Sequence, residues 1–166
     1  MAGSAVEINQ AALNQIVRTI RLAGGAFSPI FAHCNYPSLR DRLIQELQAA
    51  CGANGSEPEG PWIMVALDPQ ATSLFAPLWQ EIGPEAQPAV AIVVGLEGVD
   101  RLDSLLAAAN QMREEFRAHV RCPTVFWVTD DVLRRLRRLA SDFANWGTTV
   151  RFAIPTEDPI ALIREW

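Results

Sequence analysis

Lysine is absent from this 166-residue sequence, and all 14 of its basic residues are arginine. Phosphate-binding loops of the GxxxxGK[ST] type need a lysine, and enzymes that form a Schiff base need a lysine amine. The sequence therefore excludes both chemistries. The 19 acidic residues bring the net charge to −5, which argues against a dedicated nucleic-acid-binding protein.

Cysteine and long apolar runs are also scarce. The three cysteines, Cys34, Cys51 and Cys122, are odd in number and widely spaced, so they indicate neither a disulfide framework nor a zinc site. No apolar run approaches the roughly 20 residues that span a bilayer, and the first ten residues lack the pattern of a signal peptide. We therefore expect a cytoplasmic protein with no membrane segment, no metal and no other cofactor.

The two histidines do not form a convincing catalytic pair with cysteine. His33 and Cys34 are neighbours on a predicted strand, where adjacent side chains point to opposite faces. His119 ends a predicted helix, where an imidazolium favours the helix dipole. No serine lies in a nucleophile-elbow context, and no pair of carboxylates stands out. We assign no catalytic residue.

The hydrophobic pattern predicts alternating helices and strands. An amphipathic helix over residues 5–22 is followed by Gly24 and Gly25, which favour a helix end. Five apolar runs then predict strands, the first beginning near Ile30 because Pro29 is unfavourable inside a central strand. These runs lie at 30–34, 62–67, 89–94, 122–128 and 150–154. Helices are predicted between them, beginning near Pro37 and Gln70 and spanning 100–119 and 130–143.

This order predicts a three-layer α/β domain. Strands joined by helical crossovers form a mostly parallel sheet, and continuous apolarity indicates that helices cover both of its faces. We expect a single domain over 1–166 with an N-terminal amphipathic helix, a five-stranded sheet and a core within about 12–154. Residues 155–166 have the pattern of the beginning of a following segment.

Three stretches of the sequence together resemble one protein family. They are CNYPSLRDRLI at 34–44, VVGLE at 93–97, and TVFWVTD at 124–130 followed by LRRL at 133–136 and DFANW at 142–146. The combination resembles the P-loop-NTPase-like domains of the STAND class in large bacterial signalling and conflict-response proteins. It is most similar to degenerate members of that class, which lack the nucleotide-binding motif. Ala144 departs from the family, which usually has an aromatic residue there.

The resemblance implies where a nucleotide site would lie and shows that its loop is missing. The phosphate loop would stand between the first strand and the helix that carries Arg40, but residues 33–38 have no glycine and no lysine. Glu97 lies at the position of the magnesium-directed acid, and Asp130 at that of the polar residue that senses the terminal phosphate. The preferred explanation of Glu97 is an exposed loop acid or a cap for the helix near Asp100, and that of Asp130 is that Thr129 or Asp130 caps the following helix. A surface ion pair such as Arg42 with Glu46 is likewise preferred to a ligand contact for the Arg40 region.

The densest basic cluster lies on the fourth predicted crossover helix. Arg134, Arg135 and Arg138, together with Arg137, either form a solvated face paired with Asp130 and Asp131 or bind an acidic partner. Trp146 lies close by in the sequence, and Trp and Arg are typical anchors of protein interfaces.

The sequence therefore predicts a non-catalytic interaction or regulatory domain. Its expected partner is a protein or another domain of the same polypeptide, with self-association left open. The expected contact residues are Asn35, Arg40, Glu97, Asp130, Arg134, Arg135, Arg138 and Trp146. The alternatives are a nucleotide-binding switch with a non-standard site and a small-molecule enzyme with an unrecognised site.

Overall fold

The computed structural model describes residues 5–52, 60–83 and 88–154. The predicted beginning of a following segment, residues 155–166, lies outside these ranges. Among the described residues, no helix is long and apolar enough to cross a membrane.

Helices and strands alternate along the chain. The helices are α1 (Ala5–Leu22), α2 (Pro37–Gly52), α3 (Phe75–Ile82), α4 (Leu102–Gln111), α5 (Arg113–His119), α6 (Asp130–Leu139) and α7 (Ser141–Asn145). The strands are β1 (Ser28–His33), β2 (Trp62–Ala66), β3 (Val90–Val94), β4 (Pro123–Val128) and β5 (Thr148–Arg151). A short 3-10 helix, Leu96–Gly98, follows β3.

The five strands form one parallel sheet in the order β2-β3-β4-β1-β5, which confirms the predicted fold class. Strand β1 lies between β4 and β5, so the loop that follows β1 stands beside the loop that follows β4. Because all strands are parallel, the loops after β1, β3 and β4 meet at one edge of the sheet, the carboxyl edge.

Two apolar cores cover the two faces of the sheet. Phe31 and Phe126 face the core formed with α3 to α7, whereas Ile30 and Trp127 face the core formed with α1 and α2. This alternation follows from the strand geometry, in which successive side chains point to opposite faces. Helix α1 therefore completes the third layer rather than standing apart from the domain.

The predicted start of the first strand is wrong, because β1 includes Pro29. Phe152 donates its backbone N–H to the carbonyl of His33, so residues 29, 31 and 33 direct their backbone groups toward β5. Strand β5 pairs with β1 only from Ile30 onward. The proline ring therefore removes no hydrogen bond of the sheet.

Three predicted helix boundaries are also wrong. Helix α3 begins at Phe75 rather than near Gln70, and the amide of Ala76 donates to Ser73 Oγ at 3.1 Å. The helix predicted over 100–119 is interrupted at Met112, and the one over 130–143 at Ala140. After the second break, the side-chain oxygen of Asn110 accepts from the amide of Phe143 at 3.0 Å, which ties α7 to α4.

Candidate functional site

The carboxyl edge brings together four of the predicted contact residues. Asn35 follows β1, Arg40 lies in the first turns of α2, Glu97 lies in the 3-10 helix after β3, and Asp130 begins α6. They come from three different loops whose proximity depends on the strand order. The resemblance assigns these same loops to phosphate, magnesium and sensor positions.

Arg40 is held by two acids at this edge. Its Nη1 lies 3.3 Å from Glu97 Oε1, and its Nε donates to Asp41 Oδ1 at 3.0 Å. The side chain of Arg40 is only 17% exposed. The guanidinium is therefore neutralised by the protein itself, in a setting where a free anion would compete with two carboxylates. The predicted alternative was a pair of Arg42 with Glu46, and the described contacts contain the Arg40 pairs instead.

Asn35 and Asp130 form the second contact between these loops. Asn35 Oδ1 accepts from the backbone N–H of Asp130 at 2.8 Å, and Asn35 Nδ2 donates to the Asp130 carboxylate at 3.1 Å. Nε2 of the buried His33 contacts the same carboxylate. Thr129 caps α6 by accepting from the amide of Val132, as one of the sequence alternatives predicts. Asp130 therefore joins β1 to α6.

His33 is the residue of this site that sequence reasoning does not select. Its proximity to Cys34 draws attention to a cysteine–histidine pair, whereas its actual neighbour is Asp130, which is 97 positions further along the chain. The sequence feature that could have identified His33 as a site residue is its position at the end of a buried strand, next to a loop that contains an asparagine. A polar residue at the carboxyl end of a central parallel strand commonly faces a site.

A cavity of about 330 Å³ opens beside these contacts. Its walls are largely apolar, with Arg40 and Glu97 among the polar residues, and it is lined by Cys34, Asn35, Tyr36, Pro37, Arg40, Glu97, Trp127, Val128 and Thr129. Burial raises the pKa of the Cys34 thiol, and the thiol donates to the carbonyl of Tyr36 at 3.5 Å. Cys34 is therefore a protonated wall residue rather than a thiolate nucleophile.

The connection between β1 and α2 leaves no room for a phosphate loop. Strand β1 ends at His33 and α2 begins at Pro37, so only residues 34–36 connect them. The amide of Arg40 already donates to the carbonyl of Tyr36, and Pro37 has no amide to offer. A loop of the GxxxxGK[ST] type needs glycines and more residues than the three that connect β1 to α2 here.

The arginine-rich helix α6 divides into paired and free residues. Arg134 and Arg135 both contact Asp131, and Arg135 also reaches Asp103 on α4 at 3.3 Å. Asp130, predicted to pair with this cluster, contacts His33 and Asn35 instead. Arg138 is exposed and has no ion pair within the described ranges.

Trp146 does not lie with the carboxyl-edge residues. It follows α7 and precedes β5, which places it near the opposite, amino-terminal edge of the sheet. It is partly buried, and the guanidinium carbon of Arg117 lies 4.2 Å from the centre of its ring. The structure therefore pairs Trp146 with an arginine of α5 rather than with α6.

Metal binding has no visible basis in the described part of the chain, which contains no group of three or more histidine, cysteine or acidic side chains suited to hold an ion. No family model, no curated protein and no solved structure matches this chain.

Proposed function

We propose that this protein is a non-catalytic interaction domain built on a P-loop-NTPase-like architecture. The sequence resemblance suggests that it acts within a bacterial multidomain signalling or conflict-response protein. Its contact surface is the carboxyl edge of the sheet, formed by Asn35, Arg40, Glu97 and Asp130, together with α6. The partner is a protein or another domain of the same polypeptide.

The observation that carries this proposal is the mutual pairing of charged groups at the carboxyl edge. In a phosphate-binding site, a cation and an acid must remain available for the phosphates and for Mg²⁺. Here Arg40 binds Glu97 and Asp41, while Asp130 binds Asn35 and contacts His33. Arg40 is largely buried within these pairs, and the three-residue loop beside them is too short to wrap a phosphate.

The cavity at this edge supports a role in protein contact. Protein interfaces are anchored by apolar or aromatic side chains that fill pockets surrounded by polar groups. The largely apolar walls at Tyr36, Pro37 and Val128, with Arg40 and Glu97 beside them, match that description.

Calorimetry with ATP, ADP and GTP in the presence of Mg²⁺ tests the absence of a nucleotide site. We expect no binding tighter than about 100 µM, which corresponds to about −5.5 kcal/mol. Tighter binding of any of the three would contradict the proposal.

Photo-cross-linking in the native host tests the contact surface. A benzophenone amino acid at Pro37, which is exposed and lines the cavity, should give a defined protein adduct. The same group at Arg18, exposed on α1, is the matched control and should not give that adduct. Equal products at both positions, or none at Pro37, would refute the assignment of the surface.

One observation favours a second candidate, a nucleotide-binding switch that holds only the base and ribose. The cavity of about 330 Å³ has aromatic residues, Tyr36 and Trp127, among its walls, and its size falls in the range of small-molecule sites. Adenosine separates the two candidates, because a site of this kind would bind adenosine about as tightly as ATP.

A further inference from the structure

Within the described residues, strand β5 presents an unpaired edge at Thr149 and Arg151, whereas the next outward backbone groups, those of Ala153, are bound by the Asn9 side chain of α1. This strand is last in the strand order and pairs only with β1 among the described residues. Because Phe152 donates its N–H to His33, alternate residues of β5 face β1, and those between them face outward. The backbone N–H and C=O groups of Thr149 and Arg151 therefore point away from the sheet.

A groove runs beside this edge on the α6–α7 side. Its volume is about 450 Å³, and it is lined by Phe31, Leu133, Arg137, Ser141, Ala144, Asn145, Gly147 and Thr149. Helix α6 packs on β1 and β4, and the groove lies between α6, α7 and β5.

Arg137 is the cation that this groove offers. Arg134 and Arg135 are neutralised by Asp131 and Asp103, whereas Arg137 is exposed and has no ion pair or hydrogen bond within the described ranges. Arg151, on the same face of β5 as Thr149, is likewise exposed and has no described partner. An occupant of the groove therefore meets positive charge along with hydroxyl and amide groups.

We propose that an extended acidic segment of a partner protein adds to β5 as a sixth strand and places a carboxylate on Arg137. The outward backbone groups of Thr149 and Arg151 supply main-chain hydrogen bonds, and the groove selects the side chains. An arginine binds a carboxylate through two parallel N–H···O bonds, which explains a preference for acidic residues. This inference rests on the proposed interaction role but uses a surface separate from the carboxyl edge.

The test is the anisotropy of a fluorescein-labelled peptide of alternating valine and glutamate, titrated with the full chain. We expect saturable binding that weakens about tenfold in Arg137→Gln, because a charge-assisted pair is lost. Arg138→Gln is the matched control, since Arg138 neighbours Arg137 in α6 and is not among the groove residues; its affinity should stay within about twofold of the parent. Both positions are exposed, so neither change threatens folding.

Two further peptides separate strand addition from simple charge attraction. The first has lysine in place of glutamate and should not bind, because it offers no carboxylate to Arg137. The second has alternate backbone amides methylated and should not bind either, because it cannot form the main-chain hydrogen bonds. Three outcomes would each overturn the inference. These are binding of the methylated peptide, an equal loss of peptide affinity in Arg137→Gln and Arg138→Gln, and no binding of the acidic peptide. Arg18→Gln, at an exposed position of α1, should leave peptide binding unchanged, and the cross-link at Pro37 does not involve the groove. A failure here is therefore distinguishable from a failure of the proposed function.

Discussion

Asn35 holds Asp130 through both ends of its side-chain amide: Oδ1 accepts from the Asp130 backbone N–H at 2.8 Å, and Nδ2 donates to the carboxylate at 3.1 Å. The two residues are 95 positions apart and belong to the loops after β1 and β4. This pair links the start of α6 to the centre of the sheet.

Removal of the Asn35 amide should destabilise the fold. Asn35→Ala leaves the Asp130 amide without its side-chain acceptor, so we expect the free energy of unfolding to fall by about 1–2 kcal/mol. Urea denaturation measures the change. Asn14→Ala, which removes an exposed hydrogen bond with Gln10 on α1, is the control and should cost less than about 0.5 kcal/mol. Equal losses for the two variants would contradict the role given to Asn35.

The Arg40–Glu97 ion pair should show a measurable coupling. In a double-mutant cycle of Arg40→Gln and Glu97→Gln, we expect a coupling free energy of about 0.5–1 kcal/mol, since Arg40 is largely buried and Glu97 is partly exposed. The cycle is measured by urea denaturation at low and high salt. The coupling should shrink at high salt, and a value of zero at both salt concentrations would show that the pair does not form in solution.

Gly147 should not tolerate a methyl group. A Cβ at this position would lie 2.5 Å from the ring of Phe31 and 2.8 Å from the carbonyl oxygen of Pro29. We expect Gly147→Ala to lower the free energy of unfolding by about 1–3 kcal/mol, because the rigid strand cannot move aside. Gly98→Ala is the control, since a Cβ there meets nothing within 4 Å. The melting temperatures of the two variants measure the difference, and similar values would contradict this account of the packing.

Stability should fall at alkaline pH through Cys122. Burial raises the pKa of this thiol from the 9.0 of a free cysteine to about 11. The unfolded chain therefore loses the proton first as the pH rises, and the folded state binds more protons between these values. The stabilisation from the buried thiol is complete below pH 9 and decreases between about pH 9 and 11.

The Cys122→Ala variant isolates this effect. The difference in unfolding free energy between the parent and the variant should decrease by up to about 1.4 kcal/mol per pH unit across that window. Urea denaturation from pH 8 to 11 measures it. A difference that does not change with pH would mean that the thiol is not shielded from solvent as the structure shows.

The local hydrophobic pattern of the sequence predicts the helices and strands of this fold, but it does not predict where several of the helices begin and end. The apolar runs identify all five strands, because a strand covered on both faces must be apolar at nearly every position. The breaks at Met112 and Ala140 have no such signal. The second depends on Asn110, whose side chain binds the amide of Phe143 and so sets the position of α7. A contact between distant residues leaves no trace in helical periodicity.

The chain has no lysine, and residues 33–38 have no glycine. These two absences were enough to exclude a phosphate loop of the GxxxxGK[ST] type, because that loop needs both residue types whatever the fold around it. The sequence also marked Asn35, Glu97 and Asp130 as polar residues beside the ends of apolar runs. Their partners depended on the strand order: β4 beside β1 joins Asp130 to Asn35 and His33, and β3 beside β4 brings Glu97 to Arg40. The edge position of β5 and the lack of an ion pair at Arg137, both within the described residues, also depend on the strand order. Charge pairing is a matter of distances of a few ångströms, and folding sets those distances between residues that are far apart in the chain.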